Sequence, residues 1–269
     1  MSSVTNPSSR VAVRRKNHEE PTLNRSLERG VEILRAFRPG ADLLGNGELA
    51  ERTGLSRATV SRLAQTLVQC GLLEHDGPRR AYRLAAPVLS FAHAMRSGSP
   101  VLQIAAPLMR TAAEKLRVNV GLAVADREEM VYLESIRYNR KVSLRSVVAG
   151  QRVPIELTSL GRAYLCALSE SQRRELMTRL GQQRLTGWRT LREEILTAVQ
   201  LFGKKGYCTA SWQPEVVALA IPIVTPGSAI YVLNMSVTTQ QSASEIEEEL
   251  SAPLKALAGK ITEAVRRLD

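Results

Sequence analysis

The sequence predicts a mixed α+β chain: an N-terminal winged helix-turn-helix, a linker helix and a C-terminal α/β domain. Three observations predict it. Residues 47–73 place a short helix, a turn at Gly54 and a serine-capped second helix in series. Two short strand patterns flank Gly77-Pro78-Arg79-Arg80 directly afterwards. From Asn119 the apolar rhythm changes from helical to alternating, and strands and helices then mix to the end of the sequence.

The 269 residues suffice for two domains with separate cores. Hydrophobic residues make up 44% and charged residues 23%, the balance of a water-soluble globular protein. A net charge of +11 favours a polyanionic partner. Residues 1–100 are the more basic part for their length, with 15 Lys+Arg against 9 Asp+Glu. The longest apolar runs, Val216 to Val224 and Ala229 to Val232, are too short to span a bilayer. No apolar segment follows the early basic residues, so no signal peptide is expected. The cysteines Cys70, Cys166 and Cys208 form no CxxC pair, which fits a reducing cytoplasm.

Residues 1–22 are polar and basic, with few large apolar side chains, and read as a disordered tail. A winged helix-turn-helix domain is expected over residues 23–86. Its first helix runs from about Asn24 to Phe37, with Leu27, Val31, Leu34 and Phe37 as one apolar stripe. Glu48 to Thr53 is the second helix, and Gly54 suits a left-handed turn. Ser56 caps the third, on which Val60, Leu63, Ala64 and Leu67 share the core face. The opposite face carries Ala58, Ser61, Arg62, Gln65 and Gln69, small or hydrogen-bonding residues suited to a major groove. Cys70 reads as a buried small hydrophobe, and Gly71 ends the helix. Leu72–Asp76 and Ala81–Leu84 are the wing strands, with Arg79 and Arg80 at the turn.

A linker helix is expected over residues 87–100, apolar enough to pair two subunits, and the second domain over 101–269. That domain starts with a helix at Val101 to Leu116. Strands follow at Val120–Ala125, Met130–Arg137 and Lys141–Val147, and helices at Ser159–Leu168, Ser171–Leu180 and Thr190–Lys204. Cys208–Ser211, Val216–Val224 and Ala229–Ser236 read as strands, and Ser242–Leu268 as the last helix, acidic at its start and basic at its end.

Leu49-Ala50-Glu51-Arg52-Thr53-Gly54-Leu55-Ser56-Arg57-Ala58-Thr59-Val60-Ser61-Arg62-Leu63 is followed in order by Gly71-Leu72-Leu73, Tyr82-Arg83-Leu84, Val131-Tyr132-Leu133, Thr158-Ser159-Leu160-Gly161-Arg162-Ala163 and Ala220-Ile221-Pro222-Ile223. On these segments the chain resembles the IclR family of bacterial transcriptional regulators from Leu23 onward. The resemblance implies a GAF-like effector-binding domain, a dimerising linker helix, and dimers or tetramers on palindromic double-stranded DNA operators. It implies DNA contacts at Arg57, Thr59, Ser61 and Arg62. The helical wheel agrees for Ser61 and Arg62, sets Thr59 at the flank, and places Arg57 close to the core side, which assigns Arg57 a phosphate grip near the helix N-terminus. With Ser56, Gln65, Arg79 and Arg80 these make the expected DNA-binding set.

The same resemblance implies an effector pocket lined by Leu144, Ser146, Ser159, Leu160, Ala218, Asn234 and Ser236. Here the chain departs from the commoner pattern. Ala218 stands where many members carry a cysteine, Asn234 replaces one pocket serine, and the usual acidic residues after Gly206-Tyr207 are missing. The run Trp212-Gln213-Pro214-Glu215-Val216 is similar to one in a subset of the family. A small organic or aromatic acid is the expected effector. Activation or repression, and dimer or tetramer, remain open.

Enzyme chemistry finds little support. His18, His75 and His93 all precede the second domain, and none pairs with Cys or a carboxylate at metal-ligand spacing. No Gly-x-Ser-x-Gly elbow, P-loop or dinucleotide fingerprint occurs. No catalytic residue, cofactor or metal is expected. The alternative is a small-molecule enzyme or carrier domain with a DNA-binding adaptor.

Overall fold

The computed structural model describes residues 24–138, 147–184, 186–213, 215–225, 227 and 229–268. The expected tail at 1–22, most of the expected strand at 141–147, and Leu144 and Ser146 lie outside them.

Helix α1 (Arg25–Arg35) starts where Asn24 Oδ1 accepts from the N–H groups of Ser26 and Leu27, both at 3.1 Å. Strand β1 (Leu44–Gly45) leads into α2 (Asn46–Thr53), whose Glu48 carboxylate accepts from Gly45 N–H at 2.8 Å. Gly54 closes α2 in the left-handed region at φ +69°, as the turn requires. Helix α3 (Arg57–Gln69) is capped by Ser56 and ends before Gly71 at φ +71°. Strands β2 (Leu73–Asp76) and β3 (Ala81–Leu84) pair antiparallel, and β1 adds on the other side of β3. Ile33, Phe37, Leu49, Val60, Ala64 and Leu73 fill the core beneath.

Two features differ from the sequence expectation. The buried side of α1 is Gly30 and Ile33, continuing to Phe37, whereas Leu27 and Val31 are exposed. Cys70 is exposed, because α3 runs past the core at its C-terminal end.

Helix α4 (Pro87–Ser97) buries no residue, and Leu89, Phe91 and Met95 are exposed on it. Helix α5 (Pro100–Leu116) enters the second core. A six-stranded antiparallel sheet follows, in the order β6-β5-β4-β9-β8-β7. Its strands are β4 (Asn119–Asp126), β5 (Glu129–Ile136), β6 (Arg152–Pro154), β7 (Cys208–Ala210), β8 (Val216–Ile223) and β9 (Tyr231–Thr238). Helices α5 and α9 (Ala243–Arg266) cover one face, packing on Val120, Leu122, Leu219, Leu233 and Met235. Helices α6 (Ser159–Ala167), α7 (Glu170–Gln183) and α8 (Trp188–Lys205) lie over the other, against Ala123, Tyr132, Ala220 and Val232. Gly161 is indispensable to this layer, since a Cβ there would overlap the backbone of Ile155.

The two halves are clasped by ion pairs. Arg35 meets Asp126 at 3.1 Å, Arg38 meets Glu129 at 2.7 Å, and Glu32 pairs with Arg127. Arg152 on β6 binds both Asp126 and Glu129 at 2.7 Å. Burial alone would raise the Asp126 carboxyl, but Arg152 and Arg35 outweigh it and hold it below its ordinary range. The hydrogen bond from Arg127 does the same for Glu32. Depressed carboxylates stabilise above their ordinary pKa, and that contribution is lost as pH falls through the lowered values. Below about pH 4 the clasp is expected to loosen before either core melts. An increased radius of gyration in solution scattering, with unchanged helix content, would register it; a constant radius down to global unfolding would contradict it.

Candidate nucleic-acid interface and effector cavity

Arg57, Arg62 and Gln65 are exposed along α3, and Ser61 is half-exposed between them, while Val60 and Ala64 are buried against α1 and the sheet. Arg57 is therefore not on the core side where the helical wheel sets it, because the first turn of α3 projects from the core. Thr59 is held by the cap. Its N–H donates to Ser56 Oγ at 3.3 Å, and the two hydroxyls lie 2.9 Å apart. Arg57 reaches back beside the start of α2, its guanidinium 3.8 Å from where a Gly47 Cβ would stand. A cation there sits beside a helix N-terminus, the arrangement that receives a phosphate. At the wing, Asp76 collects two arginines, Arg79 at 3.1 Å and Arg83 at 2.5 Å. Arg79 therefore stands in an ion pair, and exposed Arg80 occupies the tip at φ +50°. Ser56→Ala is expected to cost about 1 kcal/mol, read as a melting shift of a few degrees; an unchanged midpoint would contradict this role for the cap.

The second site is a cavity of about 240 Å³ on the α6 side of the sheet. Asn234 and Ser236 on β9 and Gly121 on β4 line its floor, Tyr132 on β5 its wall, and Arg137, Val147, Gln213 and Glu215 also border it. Asn234 is buried, and its Oδ1 has no hydrogen-bond partner among the described residues. Its Nδ2 is 3.5 Å from the Tyr132 hydroxyl. Burial pushes that phenol up to about 12, so it keeps its proton and can donate. Asn234 is cross-strand from Gly121, where an added Cβ would come within 2.5 Å of Asn234 Oδ1 and also strike the Tyr132 ring. A buried acceptor without a partner is costly, about 1–3 kcal/mol, and a ligand hydroxyl would satisfy it.

Of the residues expected here, Asn234 and Ser236 border the cavity. Ala218 is half-buried and cross-strand from Ser236. Ser159 and Leu160 are buried in the first turn of α6, and Leu160 is part of the core there. Gly121 and Tyr132 were missed. A glycine inside a strand pattern is the signal that marks close approach at Gly121. Among the described residues no group of three metal-ligating side chains occurs, and no helix is long and apolar enough to cross a membrane.

A winged helix-turn-helix joined by a helix to a cavity-bearing α/β domain defines the class: a DNA-binding regulator with its own sensor. Residues 26–77 match the IclR helix-turn-helix domain, and residues 93–263 match the bacterial transcriptional regulator IclR C-terminal domain. The chain is 32% identical to the HTH-type transcriptional regulator TsaQ1/TsaQ2 of Comamonas testosteroni, covering 90% of this chain and 88% of that one. It is 29% identical to the Pca regulon regulatory protein of Pseudomonas putida, covering 85% and 80%. The crystal structure of an IclR family transcriptional regulator from Brucella abortus superimposes with a TM-score of 0.82 at 32% identity, covering 92% of this chain and 95% of that one. The chain belongs to the IclR family of bacterial transcriptional regulators.

Proposed function

We propose that the protein is a cytoplasmic, non-enzymatic regulator that binds a palindromic operator as a dimer or tetramer. Its effector is a small hydroxylated aromatic acid. The observation that carries the effector class is the buried Asn234 Oδ1, without a partner among the described residues, beside the Tyr132 phenol. A flat ring with a hydroxyl donor fits such a wall and floor. Relatives support the same class: one at 26% identity is the p-hydroxybenzoate hydroxylase transcriptional activator of Acinetobacter baylyi. Exposed Leu27 and Val31 on α1 and Leu89, Phe91 and Met95 on α4 support pairing of subunits through these helices. DNA contact is assigned to Arg57, Ser61, Arg62, Gln65 and Arg80, with Ser56 and Thr59 holding the helix start. Arg79 serves the wing through Asp76.

The coupling runs along β5. Tyr132 faces the cavity, and Arg96 of α4 holds the next two residues, donating to the Leu133 carbonyl and pairing with Glu134 at 2.7 Å. A ligand that repositions β5 shifts α4, and with it the spacing of two recognition helices. Arg96→Ala is expected to keep the melting shift produced by 4-hydroxybenzoate and to lose that ligand's effect on operator affinity. Retention of both would remove Arg96 from the coupling.

The test is capture of genomic fragments by the purified full chain, followed by sequencing. An enriched inverted repeat whose occupancy changes with 4-hydroxybenzoate supports the proposal. Capture without sequence preference, or indifferent to the ligand, overturns it.

A further inference from the structure

The face of the sheet beneath α6 carries a second chemical feature, a pair of thiols. Cys166 on α6 and Cys208 on β7 have their sulfurs 3.5 Å apart. We propose that Cys166 and Cys208 are an oxidation site, closed by hydroperoxides into a reversible disulfide that staples α6 to the edge of the sheet.

The two thiols are unequal. Cys166 is part-exposed, and the guanidinium of Arg173, which donates to the Leu165 carbonyl at 3.2 Å, lies beside it. The hydrogen bond with Cys208 holds the Cys166 thiol below its ordinary value, and Arg173 adds to this against burial. Cys208 is buried, and its interaction with Cys166 together with burial pushes its thiol well up. Thiolate character and access mark the sulfur that meets an oxidant first, so Cys166 attacks and Cys208 resolves.

The chemistry balances with a hydroperoxide as oxidant. The Cys166 thiolate attacks one peroxide oxygen; an S–O bond forms, the O–O bond breaks, and the departing oxyanion takes a proton to leave as water or an alcohol. Cys166 is then a sulfenic acid, two electrons oxidised. The Cys208 sulfur attacks the Cys166 sulfur; an S–S bond forms, the S–O bond breaks, and the hydroxide leaves with the Cys208 proton as water. A dithiol reverses the bond by exchange.

The position gives the bond leverage. Cys208 is cross-strand from Ala220, Ala220 from Asn234, and Asn234 from Gly121, so the thiol shares a row with the cavity floor. On α6, Cys166 stands seven residues after Ser159, two turns along the same side. The bond itself depends on neither the DNA nor the effector reading.

The test uses the full chain with Cys70→Ser, so that these two cysteines alone remain. After hydrogen peroxide treatment, the intact mass should fall by two hydrogen atoms, both thiols should resist alkylation, and peptide mapping should return Cys166 linked to Cys208. Dithiothreitol should restore both. In a Cys208→Ser protein, Cys166 should stop at a sulfenic acid that dimedone traps. Two thiols still open to alkylation after peroxide, or Cys166 oxidised without linkage to Cys208, would overturn the proposal.

Discussion

Arg62→Ala will weaken specific operator binding about thirtyfold or more while leaving the fold intact. The side chain is exposed on α3, opposite the buried Val60 and Ala64. An arginine fork that reads a base edge contributes about 1–3 kcal/mol of discrimination. The proposed dimer uses the contact twice, so the expected loss is about 2–6 kcal/mol, thirtyfold or more in affinity. Arg62→Lys separates two roles: it keeps the charge that phosphates attract but loses the bidentate fork. It should retain binding to random DNA with nearly the same salt dependence and lose preference for the operator. Unchanged operator affinity of Arg62→Ala at fixed salt would remove this residue from the interface.

Gly121→Ala should be nearly as severe for the effector. A methyl there must displace the Tyr132 ring or the Asn234 amide, the two groups that shape the cavity. The strain costs about 1–3 kcal/mol of stability, lowering the melting temperature. Effector binding should weaken by at least about tenfold, because the displaced group occupies ligand space. Asn234→Leu provides the complementary case. It removes a buried acceptor that has no partner among the described residues. The unliganded chain should melt at the same temperature or higher, and the ligand-induced shift should vanish. A folded Gly121→Ala protein with a full ligand-induced shift would place the effector elsewhere.

What was legible in the sequence follows from how local each signal is. Ser56, Gly54 and Gly71 are punctuation whose physics is contained within a turn of chain, and all three stand where the spacing put them. The packing face of α1 was not legible in this way. The helix carries two apolar stripes; the one with Ile33 meets its own core, and the one with Leu27 and Val31 is exposed. Periodicity reports both and cannot say which serves the chain itself. The two-residue β1 and three-residue β6 have almost no propensity signal, and each exists because a longer strand beside it offers hydrogen bonds.

The cavity was half legible. Asn234 and Ser236 came from family resemblance, but Tyr132 is about a hundred residues away and arrives through the pairing of β4 with β5 and β9. An irregularity between Leu122 and Ala123 shifts the β4–β5 register by one residue beside Gly121, a displacement that no pattern of residue types announces. The clasp between Glu32, Arg35, Arg38 and the β4–β5 turn was equally hidden. Charges close in space and distant in sequence leave no periodic trace.

In the proposed mechanism the effector cavity and the DNA reader form one coupled device, and linkage makes the coupling directly measurable. An effector that changes operator affinity by some factor must have its own affinity changed by the same factor when the operator is bound. Titrating 4-hydroxybenzoate into the full chain by calorimetry, alone and with saturating operator duplex, measures that factor. It should differ from one, match the factor from operator binding with and without ligand, and collapse to one in Arg96→Ala. Equal ligand affinity with and without operator in the unmutated chain would contradict the account.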